Sequence, residues 1–150
     1  MKSLRTHHLF AAALLATSGL VGVVPALAQS KAAAAASISS AETAKAYKMD
    51  AAKHVYKAYP DKIYKGKLPP LVHAIVVLEV AVDEHGNVQD INTIRVPTHA
   101  PDVTVAVKDM IHRSSPMPAP ARMGATKFTE VWLVDKSGRF QLDTLTEGQR

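Results

Sequence analysis

The sequence contains no cysteine, few aromatic residues and no recognisable catalytic motif. The lack of cysteine excludes a disulfide scaffold and a thiolate zinc site. It also has no glycine-rich phosphate loop and no Gly-x-Ser-x-Gly elbow. The seven histidines include no helical His-x-x-x-His pair. The remaining candidates for acid–base catalysis are four carboxylates on predicted strands and turns: Glu79, Asp83, Glu130 and Asp143. Carboxylates on the exposed side of a sheet usually contribute to solubility instead. We therefore expect no catalytic residue, no cofactor and no metal.

Residues 1–28 have the pattern of a secretory signal peptide. Lys2 and Arg5 form a basic start, a long apolar run follows, and Ala26-Leu27-Ala28 supplies small residues for cleavage. The apolar run is shorter than the ~20 residues of a transmembrane span. We expect cleavage after Ala28 and a periplasmic protein; the alternative is an uncleaved N-terminus that anchors the chain in the inner membrane. Removing 28 of the 150 residues leaves 122, enough for one domain.

Positive charge is concentrated before the predicted sheet. Residues 29–70 hold eight lysines and three acidic residues, a net charge of +5, whereas residues 71–150 hold eight basic and ten acidic residues, a net charge of −2. A basic segment can make peripheral contact with an anionic membrane or cell wall, or can simply be a solvated helix face. Nucleic acid is not an expected partner of an exported protein.

The segment before the sheet divides into a linker and a helix. Residues 29–40 are rich in alanine and serine and are expected to form a mobile linker. Residues 41–58 predict an amphipathic basic helix, with Ser40 as N-cap and Glu42 in the first turn. Tyr59-Pro60 should end this helix, since the residue before proline disfavours helical geometry. The helix has a narrow apolar stripe, formed by Ala44, Tyr47, Ala51, Val55 and Ala58.

A β-hairpin over Val72–Val96 is the strongest local pattern. Apolar residues alternate on both sides of a turn in which Gly86 supplies a positive φ angle. Pro101 begins a second helix that ends near Arg113, and the proline-rich residues 114–120 predict an extended strap. Two further strands are expected over Lys127–Val134 and Arg139–Leu145. The predicted core lies between the hairpin and the second helix, and comprises Val76, Leu78, Val80, Ile94, Val107, Met110 and Ile111.

The order α-β-β-α-β-β predicts an α+β fold, a small antiparallel sheet with the helices packed on one face. This arrangement, with the hairpin Val80-Ala81-Val82-Asp83-Glu84-His85-Gly86-Asn87-Val88, resembles the C-terminal domain of TonB-type energy transducers, and more distantly that of TolA. The resemblance covers Tyr59–Leu145 and sets the predicted domain at residues 59–150. It implies a periplasmic, non-enzymatic module that adds an extended peptide of an outer-membrane transporter to a sheet edge as a further strand.

Carried over to this chain, the resemblance places the peptide-binding residues on the third strand and at the end of the first helix: Lys127, Phe128, Thr129, Glu130, Val131, Trp132 and Tyr59. Trp132 is either a core anchor or an exposed aromatic platform. The strand Arg139–Leu145 either leaves this edge free or covers it and becomes the exposed edge itself.

Three functions follow from the sequence. The first is a TonB-C-like module that captures a peptide of an envelope partner. The second is a structural envelope protein that its basic helix holds to an anionic membrane or the cell wall. The third, an enzyme, would require two titratable groups converging in one pocket.

Overall fold

The computed structural model describes residues 37–149, so the predicted signal peptide, its cleavage site and most of the predicted linker lie outside the described residues. The chain is α+β, as the sequence predicts. Residues 37–149 form two helices, a four-stranded antiparallel sheet and a separate two-stranded parallel sheet. No helix within residues 37–149 has the length and apolar character needed to cross a membrane.

The elements follow the predicted order with shorter or shifted ends. The helices are α1 (Ala44–Ala58) and α2 (Pro101–Arg113), and the strands are β1 (Ile38–Ser39), β2 (Ala74–Val82), β3 (Val88–Arg95), β4 (Ala119–Pro120), β5 (Thr126–Val134) and β6 (Phe140–Leu142). Single 3₁₀ turns cover Pro60–Lys62 and Asp143–Leu145. The four-stranded sheet has the order β3-β2-β5-β6, so the two long strands β2 and β5 lie at its centre.

Both helices pack on one face of this sheet. Every second residue of β2 is buried against them, as is every second residue of β5 from Phe128 onward. Tyr47 and Val55 of α1 enter the same core as Val107 and Ile111 of α2. Among residues 37–149, no helix lies on the other face of the sheet, which is called the helix-free face below. The two-residue period of a strand produces this division, because successive side chains point to opposite faces.

The sequence placed α1 outside the domain, and this boundary was wrong. Tyr47 is fully buried, donates a hydrogen bond from its hydroxyl to the Pro118 carbonyl over 2.7 Å, and makes an edge-to-face contact with Phe128. The apolar stripe of α1 is therefore part of the main core. Thr43, rather than Ser40, is the N-cap, with its Oγ1 accepting from the Ala46 amide, and Glu42 precedes the helix.

The end of the predicted linker is also structured. Ile38–Ser39 pairs in parallel with Ala119–Pro120 of the strap. The Ser39 hydroxyl is buried and donates to Asp50 of α1 over 2.6 Å. The alanine- and serine-rich composition does not predict this pairing, because the pairing depends on main-chain groups and on one small hydroxyl.

Two of the seven predicted core residues are not fully buried. Ile94 is 56% exposed, and Met110 is only partly buried. A bulge explains Ile94: Val77 pairs with Arg95 and Leu78 pairs with Thr93, so Ile94 has no partner in the register. Ile91 occupies the core position on β3 instead.

Candidate functional site

The last strand, β6, covers only one end of β5. It pairs with Trp132–Val134 and stops at Leu142, three residues short of the predicted end at Leu145. Within residues 37–149, no strand pairs with the outer side of β5 from Thr126 to Val131. These six residues, called the β5 edge below, span about 20 Å at the usual rise of a strand.

The backbone groups of the β5 edge alternate between its two sides. The Val131 amide donates to its neighbour's carboxylate, Oε1 of Glu130, over 3.0 Å and so does not bond β2. Because alternate residues of a strand turn their backbone groups to the same side, the peptide groups of Lys127 and Thr129 face outward with Val131. Lys127 and Thr129 are both exposed. The β5 edge thus presents the outward groups of Lys127 and Thr129 to an incoming strand, whereas the Val131 amide is already bonded to Glu130.

The outer side of β6 is closed, which excludes it as the exposed edge. The Phe140 carbonyl accepts a hydrogen bond from the Tyr64 amide over 2.9 Å, and the Leu142 amide donates to the Tyr56 hydroxyl over 3.1 Å. Between them, the buried Gln141 donates from Nε2 to the carbonyls of Tyr64 and Gly66. The loop before β2 therefore occupies the position that a further strand would take.

β3 is the outermost strand at the opposite side of the sheet. Its register with β2 shifts twice, and most of its side chains are exposed or partly exposed, among them Asp90 and Arg95. Bulges and charged residues are the usual devices by which proteins protect an edge strand from pairing. The amide of Val88, at its start, donates to the Ser115 hydroxyl of the strap. β3 is thus a less suitable edge than β5.

Glu130 sits where β6 leaves β5 and holds that junction together. Its Oε1 accepts hydrogen bonds from the amides of Val131 and Thr144 and lies 3.4 Å from Nζ of Lys48. Glu130 is only 3% exposed. Burial raises the pKa of this carboxyl above its usual range, and the nearby hydrogen-bond donors and the Lys48 charge offset the effect only in part.

Three buried polar atoms near this junction have no hydrogen-bond partner within the described residues: Oε2 of Glu130, Nε1 of Trp132 and Oγ1 of Thr144. Glu130 and Trp132 also line a narrow apolar cavity beneath α1. Buried polar groups without partners lower stability, so this end of β5 is the least satisfied part of the core.

The predicted site residues divide between the two faces of β5. Lys127, Thr129 and Val131 have their side chains on the helix-free face, beside the β5 edge, and Lys127 forms an ion pair with Glu79 of β2 over 3.6 Å. Phe128, Glu130 and Trp132 are buried on the helix face. Trp132 is 1% exposed and its ring centroid lies 4.6 Å from that of Phe140, so it is a core anchor rather than an exposed platform.

Tyr59 lies apart from the other predicted site residues. Its hydroxyl donates to the Met110 carbonyl of α2 over 3.0 Å, which ties the end of α1 to α2. It borders a groove that includes Val134, at the far end of β5 from Lys127. The structure therefore gives Tyr59 a role in joining the helices and does not bring it to the β5 edge.

Sequence analysis missed Lys48 and Thr144, the two residues that fix the Glu130 carboxylate. One signal was present: Glu130 shares the parity of Phe128 and Trp132, which predicts a carboxylate on the buried face. A buried carboxylate needs donors. The sequence does not show that these donors are Lys48 of α1 and the Thr144 amide in the 3₁₀ turn after β6.

The four carboxylates considered for catalysis do not converge in the structure. Glu79 pairs with Lys127, while Asp83 accepts hydrogen bonds from the amides of His85 and Asn87 within the hairpin turn. Asp143 is exposed on the 3₁₀ turn. Within residues 37–149, no three histidine, aspartate or glutamate side chains come together as metal ligands.

Comparisons of this chain with protein-family models, with curated proteins and with solved structures gave no match. The resemblance of Tyr59–Leu145 to TonB C-terminal domains therefore stays a prediction. The geometry of the β5 edge is the observation from which a function can be inferred.

Proposed function

We propose that this chain is a periplasmic, TonB-C-like binding module that captures an extended peptide of an envelope protein, such as an outer-membrane transporter, by strand addition at the β5 edge. One observation carries the proposal: the outer side of Thr126–Val131 has no strand partner within residues 37–149. β6 closes the rest of β5, and a loop closes β6.

Strand addition requires unpaired backbone groups and a rigid strand behind them. β5 meets the second condition, because it pairs with β2 along its full length from Thr126 to Val134. Buried aromatic residues on its other face hold it in place. Backbone pairing would provide affinity, and the side chains of Lys127, Thr129 and Val131 would border the peptide and provide selectivity.

The closed part of β5 limits the length of the bound peptide. A strand added to the β5 edge has β6 at one end, because β6 already occupies the positions opposite Trp132–Val134. The paired segment is therefore at most about six residues long, and the last position, Val131, requires its amide to leave Glu130. An added peptide would meet a polar, lysine-containing border on the helix-free face rather than an apolar pocket.

A second function, peripheral contact with an anionic membrane or cell wall, rests on the outer side of α1. Lys45, Lys53 and Lys57 are exposed there while the opposite side of the helix is buried. Each lysine near an anionic surface contributes roughly 1 kcal/mol. Charge reversal of these three lysines should abolish sedimentation with anionic vesicles if this function holds and leave peptide binding unchanged.

The proposed function can be tested with one peptide and three variants. A peptide that binds the full chain is first selected from a random library. Its affinity is then measured for Thr129→Pro, which removes an outward amide, and for Thr129→Val, which keeps that amide. Thr93→Pro on β3 is the opposite-edge control. We expect the loss of affinity to be at least tenfold greater for Thr129→Pro than for Thr129→Val or Thr93→Pro, because proline lacks the ladder donor.

Circular dichroism must show the native fold for each variant before affinities are compared. Unchanged affinity in folded Thr129→Pro would exclude strand addition at the β5 edge. A loss confined to Thr93→Pro would move the binding site to β3.

A further inference from the structure

The strand β6 is shorter than its own sequence allows. Apolar and polar residues alternate from Phe140 through Asp143, and Thr144 and Leu145 would extend the two sides of the strand that the sequence predicts to Leu145. The chain instead leaves the sheet after Leu142 through the 3₁₀ turn Asp143–Leu145. The residues that leave are those that would otherwise lie along the β5 edge.

The existing register defines where a longer β6 would pair. Trp132 opposes Leu142 and Val134 opposes Phe140. Continued without a shift, this register places Asp143 opposite Val131 and Leu145 opposite Thr129. The backbone groups of Gln141 face β5, since those of Phe140 and Leu142 bond the opposite side. By alternation, those of Asp143 and Leu145 would face β5 as well.

Glu130 holds the short form of β6 in place. Its Oε1 accepts the Val131 amide, which a longer β6 or a bound peptide would need, and also the Thr144 amide at 3.4 Å. Beyond the turn, Oε1 of Gln141 accepts from the Thr146 hydroxyl and the Glu147 amide, and the Gly148 carbonyl accepts from Leu68. These hydrogen bonds and the packing of Leu145 against the core thus separate the short form from an extended one.

We propose that Asp143–Glu147 is an intramolecular competitor for the β5 edge: β6 extends over Val131–Lys127 and closes the edge to peptides. The loss of peptide binding in the extended form rests on the proposed function. The position of the extended strand rests on the register of β6 with β5. The occupant is a segment of this chain with the backbone direction, the register and the attachment point that the β5 edge requires.

Two engineered cysteines can trap the extended form, because the chain has no cysteine of its own. In the described structure, Leu145 packs against the core on the helix side, whereas the Thr129 side chain lies on the helix-free face. Extension would place both on the helix-free face in directly opposed positions, within the Cα separation that a disulfide spans.

The test compares Thr129→Cys/Leu145→Cys with the offset pair Lys127→Cys/Leu145→Cys in the full chain. The offset pair would lie diagonally, about 7–8 Å apart, which is too far for an unstrained disulfide. We expect oxidation to cross-link the first pair at least tenfold faster than the second. The oxidised first pair should then bind the selected peptide at least tenfold more weakly than the same variant after reduction.

Equal cross-linking of the two pairs would overturn the extension, whatever the peptide result. Rapid cross-linking of the first pair with unchanged peptide affinity would overturn the competitive role. If the reduced protein and the native chain bind no selected peptide, the proposed function fails, while the cross-linking rates still decide whether β6 extends. The single variants Thr129→Cys and Leu145→Cys should retain the circular dichroism spectrum of the native chain.

Discussion

Nζ of Lys48 on α1 lies 3.4 Å from Oε1 of Glu130 on β5, and both groups lie mostly out of solvent. The pair joins the basic helix to the strand that carries the proposed site. It also places a titratable group where β6 leaves the sheet, so the pH dependence of stability reports on this junction.

Stability should fall as pH rises through the range just above the ordinary carboxyl pKa of 4.5. Burial raises the pKa of Glu130 in the native state, so the native protein binds more protons there than the unfolded chain. Urea denaturation of the native chain and Glu130→Gln across this range should show a decline that the variant lacks. Hydrogen bonds lower the pKa of Asp83 from its ordinary value of 3.8. The effect of Asp83 on stability therefore falls at lower pH and does not overlap with that of Glu130.

Glu79→Gln is the matched control for this pH dependence, because Glu79 lies on the helix-free face in a more exposed ion pair. It should keep the decline that Glu130→Gln loses. The interpretation fails if both variants retain the same dependence on pH as the native chain.

Leu78→Ala should lower the free energy of unfolding by about 2–5 kcal/mol, because Leu78 is fully buried at the centre of the sheet. Ile94→Ala is the control: the bulge leaves Ile94 largely exposed, and its loss should change the free energy by less than about 0.5 kcal/mol. Denaturant midpoints measure both. Similar losses in the two variants would contradict the facing described for β3.

Gly86→Ala should destabilise the fold more than Gly138→Ala. Both glycines have positive φ angles, which cost other residues about 1–2 kcal/mol. A Cβ atom on Gly86 would also overlap the Met117 carbonyl of the strap, whereas one on Gly138 meets no atom within 4 Å. Thermal denaturation should therefore show a further loss of about 1–3 kcal/mol for Gly86→Ala.

The sequence predicted the fold where periodicity is strong. The alternation of β2, the position of Gly86 and the proline at the start of α2 each fixed an element near its observed place. It failed where tertiary contacts decide: it missed the bulge that exposes Ile94, and it placed α1 outside the domain although it predicted the apolar stripe with Tyr47 by which α1 packs into the core.

The candidate site was predicted only as a strand. The two-residue period of a strand places Phe128 and Trp132 on one face of β5, and both are buried on that face in the structure. The free length of the β5 edge could not be predicted, because it depends on the hydrogen bond from the Thr144 amide to Glu130 and on the tail beyond it. Local alternation alone favoured a strand to Leu145.

The signal peptide remains a prediction, and the mass of the exported protein tests it. Exported protein should have the intact mass of residues 29–150, since Ala26-Leu27-Ala28 supplies the small residues that cleavage needs. Recovery of the full-length mass from the membrane fraction would instead support the anchored alternative.

Amide hydrogen exchange at Lys127 and Thr129 tests the central claim most directly. In the full chain with the selected peptide, both outward amides should become protected at least tenfold, while the amides of β3 that face away from β2 keep their rates, because only the β5 edge gains ladder bonds. Saturating peptide that leaves the Lys127 and Thr129 amides unprotected would contradict strand addition at the β5 edge.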